Sequence, residues 1–159
     1  MPAPFPARAA ADFEVDRKTH TIRFIRVFDA SRAQIFEAWT TPEQVTCWWD
    51  AAGGPLLACE IDLRVTGTFR FVTKSHPEMP FAGTYLEIAP PERLIFEALG
   101  ATGRVVLREV AGKTQMTVEI ACAGAEHLEQ FLKLGVAAGT AQTLDNLVDF
   151  ARRRSAAGG

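Results

Sequence analysis

Residues 114–121, TQMTVEIA, and residues 127–153, HLEQFLKLGVAAGTAQTLDNLVDFARR, follow two different hydrophobic periods. In the first segment Met116, Val118 and Ile120 alternate with polar residues. That period of two predicts a β-strand with one buried face. In the second segment apolar residues recur every three or four positions, which predicts a helix about 40 Å long. So long an apolar face must be covered, and we expect the strands that precede it to form the cover.

The remaining elements follow from composition and from turn residues. Runs rich in β-branched and aromatic residues predict strands, and Pro or Gly between the runs predicts turns. The predicted strands are Thr21–Phe28, Cys59–Leu63, Thr68–Thr73, Phe81–Ile88, Arg93–Leu99, Arg104–Val110 and Thr114–Ala121. Two helices are predicted between the first two strands: Arg32–Thr40, capped by Ser31 or Asp29, and a short helix from Pro42 to about Trp48.

This order, β-α-α-β6-α, predicts an α+β fold with a curved antiparallel sheet around the C-terminal helix. Hairpin connections are too short for parallel neighbours, so the sheet is expected to be antiparallel. A twisted sheet cannot follow a straight helix along its whole length. We therefore expect a cavity at one end of the sheet, with the two short helices as its lid.

Composition and charge exclude several classes of function. The 159 residues fit one domain, and 48% apolar with 23% charged residues is typical of a globular protein. A formal net charge of −2 with scattered basic residues argues against a nucleic-acid partner. The three cysteines, Cys47, Cys59 and Cys122, lack the spacing of a disulfide framework or a zinc site. No metal and no cofactor are expected.

The ends of the chain are predicted to lie outside the domain. Residues 1–19 begin with a Pro- and Ala-rich stretch and are expected to be a flexible tail, residues 20–154 the domain, and residues 155–159 a disordered C-terminus. The chain shows neither the apolar run of a signal peptide nor that of a membrane helix. We expect a cytoplasmic protein without stable membrane insertion. The edge strands of an open sheet would permit a homodimer.

Alternation and helical spacing point a set of apolar side chains at the expected cavity. We expect the ligand to be contacted by Trp39, Trp48, Trp49, Phe69, Phe71, Tyr85, Phe96, Met116, Val118, Phe131 and Gly135. Of Trp48 and Trp49, one is expected to anchor the short helix in the core and the other to line the mouth of the cavity, and the sequence does not decide which. Gly135 is expected to leave room beside the sheet, so that a leucine there would fill the site.

Catalytic chemistry has a weaker basis in the residues. No nucleophile elbow, phosphate loop or metal-ligand spacing is present. Glu87 shares strand parity with Tyr85, and the two would form a proton-transfer pair if both pointed inward. They are the candidate catalytic residues of an enzymatic alternative.

Several segments, taken in order, make the chain similar to a known superfamily. They are Arg26-Val27-Phe28-Asp29-Ala30, Phe36-Glu37-Ala38-Trp39-Thr40 with Pro42-Glu43, Trp48-Trp49, Glu60-Ile61-Asp62-Leu63-Arg64 with Gly67 and Phe69, Gly83-Thr84-Tyr85-Leu86-Glu87-Ile88, and Pro91-Glu92-Arg93-Leu94. The chain resembles the SRPBCC superfamily (START-like, helix-grip fold), and within it the bacterial homologues of the activator of heat-shock protein 90 ATPase. The resemblance extends from about residue 20 to about residue 150 and implies the helix-grip fold.

Two departures from the family pattern bear on the ligand. Val65-Thr66-Gly67 stands where the family usually shows Pro-Gly-Gly, and Gly139-Thr140 stands where it often shows Gly followed by Trp. Loss of that tryptophan is expected to enlarge the space under the C-terminal helix.

Fold alone does not assign a function, and the resemblance implies several. The leading hypothesis is a binding or carrier protein for a hydrophobic small molecule, a lipid or a polycyclic compound. The alternatives are a cyclase- or hydratase-type enzyme acting on such a molecule, and a cochaperone-like protein of the stress response that stimulates a chaperone ATPase. We do not expect a chaperone partner, because the chain shows no separate chaperone-binding domain of the kind the eukaryotic activator carries.

Overall fold

The computed structural model describes residues 13–158, and side chains as far as residue 154. Eight strands and four helices occur in this part of the chain. In chain order they are β1 Glu14–Asp16, β2 Thr21–Phe28, α1 Arg32–Thr40, α2 Pro42–Val45, β3 Ala58–Ile61, β4 Thr68–Val72, β5 Phe81–Ala89, β6 Arg93–Ala98, β7 Ala101–Val110, β8 Lys113–Ala121, α3 Ala125–Lys133 and α4 Val136–Gly158. The predicted α+β helix-grip class is confirmed.

The strands form one antiparallel sheet in the order β1-β2-β8-β7-β6-β5-β4-β3. Consecutive strands are neighbours, except that β2 pairs with β8 and not with β3. Ala111 and Gly112 form the two-residue turn between β7 and β8, both with positive φ, as a hairpin turn that matches the strand twist requires. The first and last strands of the predicted order, β2 and β8, lie side by side, and α1 and α2 carry the chain from β2 to the far edge at β3.

The helices begin where the sequence places their caps. Ser31 accepts a hydrogen bond from the Gln34 backbone N–H, and the Gln34 side chain accepts one from the Ser31 backbone N–H, which completes a capping box for α1. Pro42 begins α2. The short helix ends at Val45, earlier than predicted, so that Trp48 and Trp49 lie beyond it.

The C-terminal helix is broken in two, whereas the sequence predicted one continuous helix. Gly135 has φ of +80°, a left-handed conformation that separates α3 from α4. Leu134, the residue before it, is 78% exposed, because the break points this side chain away from the core. The concave face of the sheet is thus covered by two helices that meet at Gly135.

Strand β1 lies inside the segment predicted as a tail. It pairs with β2 through Val15 and Ile22. The rest of that segment, residues 1–12, lies outside the described residues. The backbone of α4 continues to Gly158, into the segment predicted as disordered. The domain boundaries 20–154 stay a prediction.

An enclosed ion pair joins α4 to the sheet. Arg26 projects from the concave face of β2, and its Nε lies 2.9 Å from Oδ1 of Asp145 on α4. The two side chains are only 12% and 9% exposed. Arg26 also donates to the Ala141 carbonyl at 3.3 Å. Removing one partner of such a pair is costly, because the other charge would remain buried. The position of α4 on β2 is therefore fixed.

Among residues 13–158, no helix is long and apolar enough to cross a membrane.

Candidate functional site

A cavity of about 430 Å³ lies between the concave face of the sheet and helices α3 and α4. Its apolar lining comes from the sheet and its turns, from α1, α3 and α4, and from residues 48–52, which we call the tryptophan segment: Trp39, Trp49, Ala51, Ala52, Phe81, Phe96, Ala98, Leu99, Ala101, Val118, Ile120, Phe131, Val136 and Leu144. Protein interiors contain few voids larger than a water molecule. Ligand sites occupy about 300 to 1,000 Å³ and have this predominantly apolar character. The cavity is therefore the candidate site.

Polar residues occupy a smaller part of the lining. They are Asp50, Thr73, Ser75, His76, Thr140 and Thr143. His76 is exposed and marks the mouth, whereas Asp50 is only 5% exposed. No lysine or arginine lines this cavity among the described residues. Asp50 thus contributes the one carboxylate on this wall within the described part of the chain.

Small residues on α4 leave the cavity open. Gly139 and Thr140 line it directly, and a Cβ atom placed on Gly139 would meet no atom within 4 Å. These are the positions where the family often has Gly followed by Trp. Their place on the lining agrees with the expectation that loss of the tryptophan enlarges the space under the helix.

The structure decides between the two adjacent tryptophans. Trp48 is 1% exposed, and its Nε1 donates to the Ala38 carbonyl at 3.1 Å, so it anchors the segment after α2. Trp49 lines the cavity and packs edge-on against Phe71, with ring centroids 4.9 Å apart. Trp49 is therefore the member of the pair that faces the site.

Helix α4 fixes the segment that carries Trp49 and Asp50. Thr143 donates from Oγ1 to the Trp49 carbonyl at 3.0 Å, and Asn146 donates from Nδ2 to the Asp50 carbonyl at 3.0 Å. The Asp50 carboxylate accepts the Ala52 backbone N–H at 2.9 Å. The wall of the cavity is thus tied to the helix that covers it.

Four of the predicted ligand residues surround a second, nearly closed space. Trp48, Phe69, Phe71 and Tyr85 line a gap of only about 10 Å³, which holds at most about one water molecule. Tyr85 is 2% exposed, and burial raises its hydroxyl pKa above the usual value. These side chains are core aromatic residues beside the cavity, and the structure does not bring them onto its lining.

The other predicted ligand residues divide into two groups. Trp39, Trp49, Phe96, Val118 and Phe131 line the cavity. Met116 and Gly135 do not. The Met116 sulfur accepts a hydrogen bond from Trp39 Nε1 at 3.3 Å, and Gly135 forms the break between α3 and α4. A leucine at Gly135 would strain the backbone without filling the site, so Gly139 is the position that tests it.

The proposed pairing of Tyr85 with Glu87 is corrected by a β-bulge. Tyr85 lies opposite Phe96 of β6, but Glu87 lies opposite Ile95, because the register shifts between them. Adjacent residues of β6 face opposite sides of the sheet, so Tyr85 and Glu87 also do. Glu87 forms an ion pair with Arg93, which holds the pKa of its carboxyl below the usual range. The two residues cannot exchange a proton directly.

Two features of the lining were not predicted from the sequence. Asp50 follows the two tryptophans, in a segment for which the sequence predicted neither a helix nor a strand. Gly103 lies on β7, where a Cβ atom would come within 2.4 Å of the Phe96 ring. A glycine inside a strand signals such a close approach and could have located this contact. Nothing in the sequence alone marks Asp50.

Comparison with solved structures of other proteins supports the fold. Protein Ms6760 from Mycobacterium smegmatis has a TM-score of 0.75 at 21% identity, over 90% of this chain and 98% of that one. NE0264 from Nitrosomonas europaea has a TM-score of 0.78 at 20% identity, over 89% of this chain and 99% of that one. CalU16 from Micromonospora echinospora has a TM-score of 0.60 at 23% identity, over 82% of this chain and 75% of that one. No curated protein matches the chain.

A family model matches the sequence itself. The model described as Activator of Hsp90 ATPase homolog 1-like protein matches residues 29–152, which include α1, the tryptophan segment, strands β3 to β8 and most of α4. The match agrees with the resemblance seen in the sequence and with the helix-grip architecture. The chain belongs to the family of Activator of Hsp90 ATPase homolog 1-like proteins, within the SRPBCC superfamily.

Proposed function

We propose that this protein binds a small, largely apolar molecule in the cavity between the sheet and helices α3 and α4. The observation that carries the proposal is the cavity of about 430 Å³ itself, with its apolar lining. Burial of apolar ligand surface there would contribute about 25 cal/mol per Å² before the costs of ordering. The family commonly binds ligands, which agrees with this assignment.

The lining is built on regular elements, which supports a preformed site. Val118 and Phe96 project from strands, and Val136 and Leu144 from α4. Sites on strands and helices hold their shape better than sites on loops. A ligand would therefore bind without large rearrangement of the sheet.

The test compares two neighbouring positions of α4 that differ in what they face. Gly139 lines the cavity and Ala138 is exposed. We expect Gly139→Leu to lower affinity for the neutral fluorescent probe N-phenyl-1-naphthylamine at least tenfold, because the side chain enters the cavity. Ala138→Leu adds the same side chain on the solvent side and should leave affinity within twofold.

Fluorescence titration of the three proteins measures the effect, with circular dichroism as a check on folding. If both variants bind the probe as tightly as the unmodified protein, the probe does not occupy the cavity and the assignment is wrong. Native mass spectrometry of freshly purified protein would then show whether any apolar molecule accompanies it.

A further inference from the structure

We infer that the ligand is an apolar molecule carrying a cationic amine, and that Asp50 is the residue that recognises the amine. The inference rests on the proposed function, because it assigns the chemistry of a ligand in the same cavity.

The first observation is the state of the Asp50 carboxylate. The residue is 5% exposed and lies on the cavity lining. Its Oδ1 accepts one hydrogen bond, from the Ala52 backbone N–H, and no hydrogen bond to Oδ2 is formed within the described part of the chain. Among these residues the Gln44 Oε1 atom is the one fully enclosed side-chain oxygen or nitrogen without a partner. Asp50 Oδ2 has no hydrogen-bond partner among these residues either, yet it is not fully enclosed, and the residue lies on the lining of the cavity.

The second observation is the absence of a compensating cation. No lysine, arginine or histidine nitrogen lies within 4.0 Å of the Asp50 carboxylate in residues 13–158. Burying an unpaired carboxylate is costly, and a cation in the adjacent cavity would relieve that cost. A hydrogen bond from an ammonium group to a carboxylate is about twice as strong as a neutral one.

The third observation is the rest of the lining. It contains no lysine or arginine in the described residues, so nothing of fixed positive charge would bind the carboxylate of a fatty acid. It does contain the rings of Trp39 and Trp49. Tryptophan faces attract cations, with contributions of about 0.5 to 2 kcal/mol. The wall therefore favours a cationic ligand and disfavours an anionic one.

The carboxylate is also held in place. The Ala52 backbone N–H holds the carboxylate itself, and α4 holds the backbone beneath it, because Asn146 donates to the Asp50 carbonyl and Thr143 to the Trp49 carbonyl. A preorganised acceptor loses little entropy when the ligand binds.

The experiment compares three probes that share one ring system. They are 1-naphthylmethylamine, a cation at pH 7, 1-naphthalenemethanol, which is neutral, and 1-naphthoic acid, an anion. Affinities for the unmodified protein, measured by calorimetry, are expected to fall in that order, with the amine at least tenfold tighter than the acid. Asp50→Asn keeps the size of the side chain and an acceptor for the Ala52 N–H. It should lower the affinity for the amine at least tenfold and the affinity for the alcohol less than twofold. The matched control, Asp149→Asn, removes an exposed carboxylate of α4 and should change none of the three.

The outcomes separate this inference from the proposed function. Equal affinities for the three probes, lost together in Gly139→Leu, would overturn the amine assignment and support the cavity. Binding of no probe at all would count against both. If Asp50→Asn does not fold, the order of affinities in the unmodified protein still decides the question. A higher affinity for the acid than for the amine would refute the inference that the ligand carries a cationic amine.

Discussion

The two ends of the concave face differ in how completely they are filled. At one end Trp48, Phe69, Phe71 and Tyr85 leave a gap of about 10 Å³. At the other end the same sheet faces α3 and α4 across a cavity of about 430 Å³. Trp39, Trp49, Phe81 and Phe96 line both spaces and form the wall between them.

The contrast shows that side-chain size, on the covering element as well as on the sheet, decides which end is open. The closed end is covered by α1 and the tryptophan segment, which contribute large indole rings. The first two turns of α4 read VAAGTAQT, residues 136–143, and contribute mostly small side chains. A void larger than a water molecule persists only where no side chain reaches into it. Local side-chain size therefore separates a core region from a binding region within one fold.

The largest expected effect is at the closed end. Trp48→Ala should lower the free energy of unfolding by about 4 kcal/mol, because it removes a buried ring and its hydrogen bond and leaves a cavity that the neighbours cannot fill. Urea denaturation measures the change. Loss of less than about 1 kcal/mol would mean that the closed end is no better packed than the open one.

A pair of glycine substitutions compares the two ends directly. A Cβ atom on Gly83, at the closed end, would lie 2.0 Å from the Glu97 carbonyl oxygen and 2.6 Å from the Phe69 ring, so the backbone must move. Gly83→Ala should cost about 3 kcal/mol. At Gly103 the three atoms nearest to an added Cβ all belong to the Phe96 ring, which can move into the cavity, and Gly103→Ala should cost about 1 kcal/mol. Thermal or urea unfolding of both variants gives the ranking, and the reverse order would contradict the comparison.

Filling the open end should stabilise the protein. Gly139→Leu replaces a poor helix former inside α4 and places its side chain in free space. We expect a gain of about 1 kcal/mol in the free energy of unfolding, together with the loss of probe binding proposed above. A destabilised variant would indicate that the cavity is smaller in solution than the structure shows.

The smallest effect is expected on the outer face of the sheet. The ion pair with Arg93 holds the folded-state pKa of Glu87 below that of the unfolded chain. Its stabilising contribution is therefore complete above the unfolded-state pKa of about 4.3 and is lost as the pH falls through the lower folded-state pKa. As the pH falls from about 5 to 3, the free energy of unfolding of Glu87→Gln should decrease less than that of the unmodified protein. This variant should bind the apolar probe normally. Urea unfolding across this pH range tests it, with Glu109→Gln, an exposed carboxylate of β7, as control. A loss of probe binding in Glu87→Gln would restore this residue as a site candidate.

The sequence predicted the concave face well because alternation is a local property. Met116, Val118 and Phe69 were assigned to the buried face from parity alone, and all three are buried. The prediction from strand alternation was wrong after Tyr85, because a one-residue bulge there places Glu87 on the other face of the sheet. No turn residue in the sequence reveals this bulge. It also could not decide which tryptophan faces the cavity, since that depends on where α2 ends.

The site required information that is not local. The segment that places Asp50 on the lining is held by α4, almost a hundred residues later, which donates hydrogen bonds to the carbonyls of Trp49 and Asp50. The exception is Gly139-Thr140, where a departure from a family pattern predicted extra space. A missing large residue can thus be read from sequence, whereas a distant contact cannot.

The attachment of α4 has a thermodynamic consequence. Its hydrogen bonds to the tryptophan segment and its ion pair from Arg26 to Asp145 mean that opening the helix also opens the cavity. Ligand release and local unfolding of α4 should therefore be linked. A ligand at a hundred times its Kd would add about 2.7 kcal/mol to the free energy of that opening. Amide hydrogen exchange should report this as slower exchange along α4, far beyond the few residues that touch the ligand, while amides of β3 at the far edge of the sheet keep their rates.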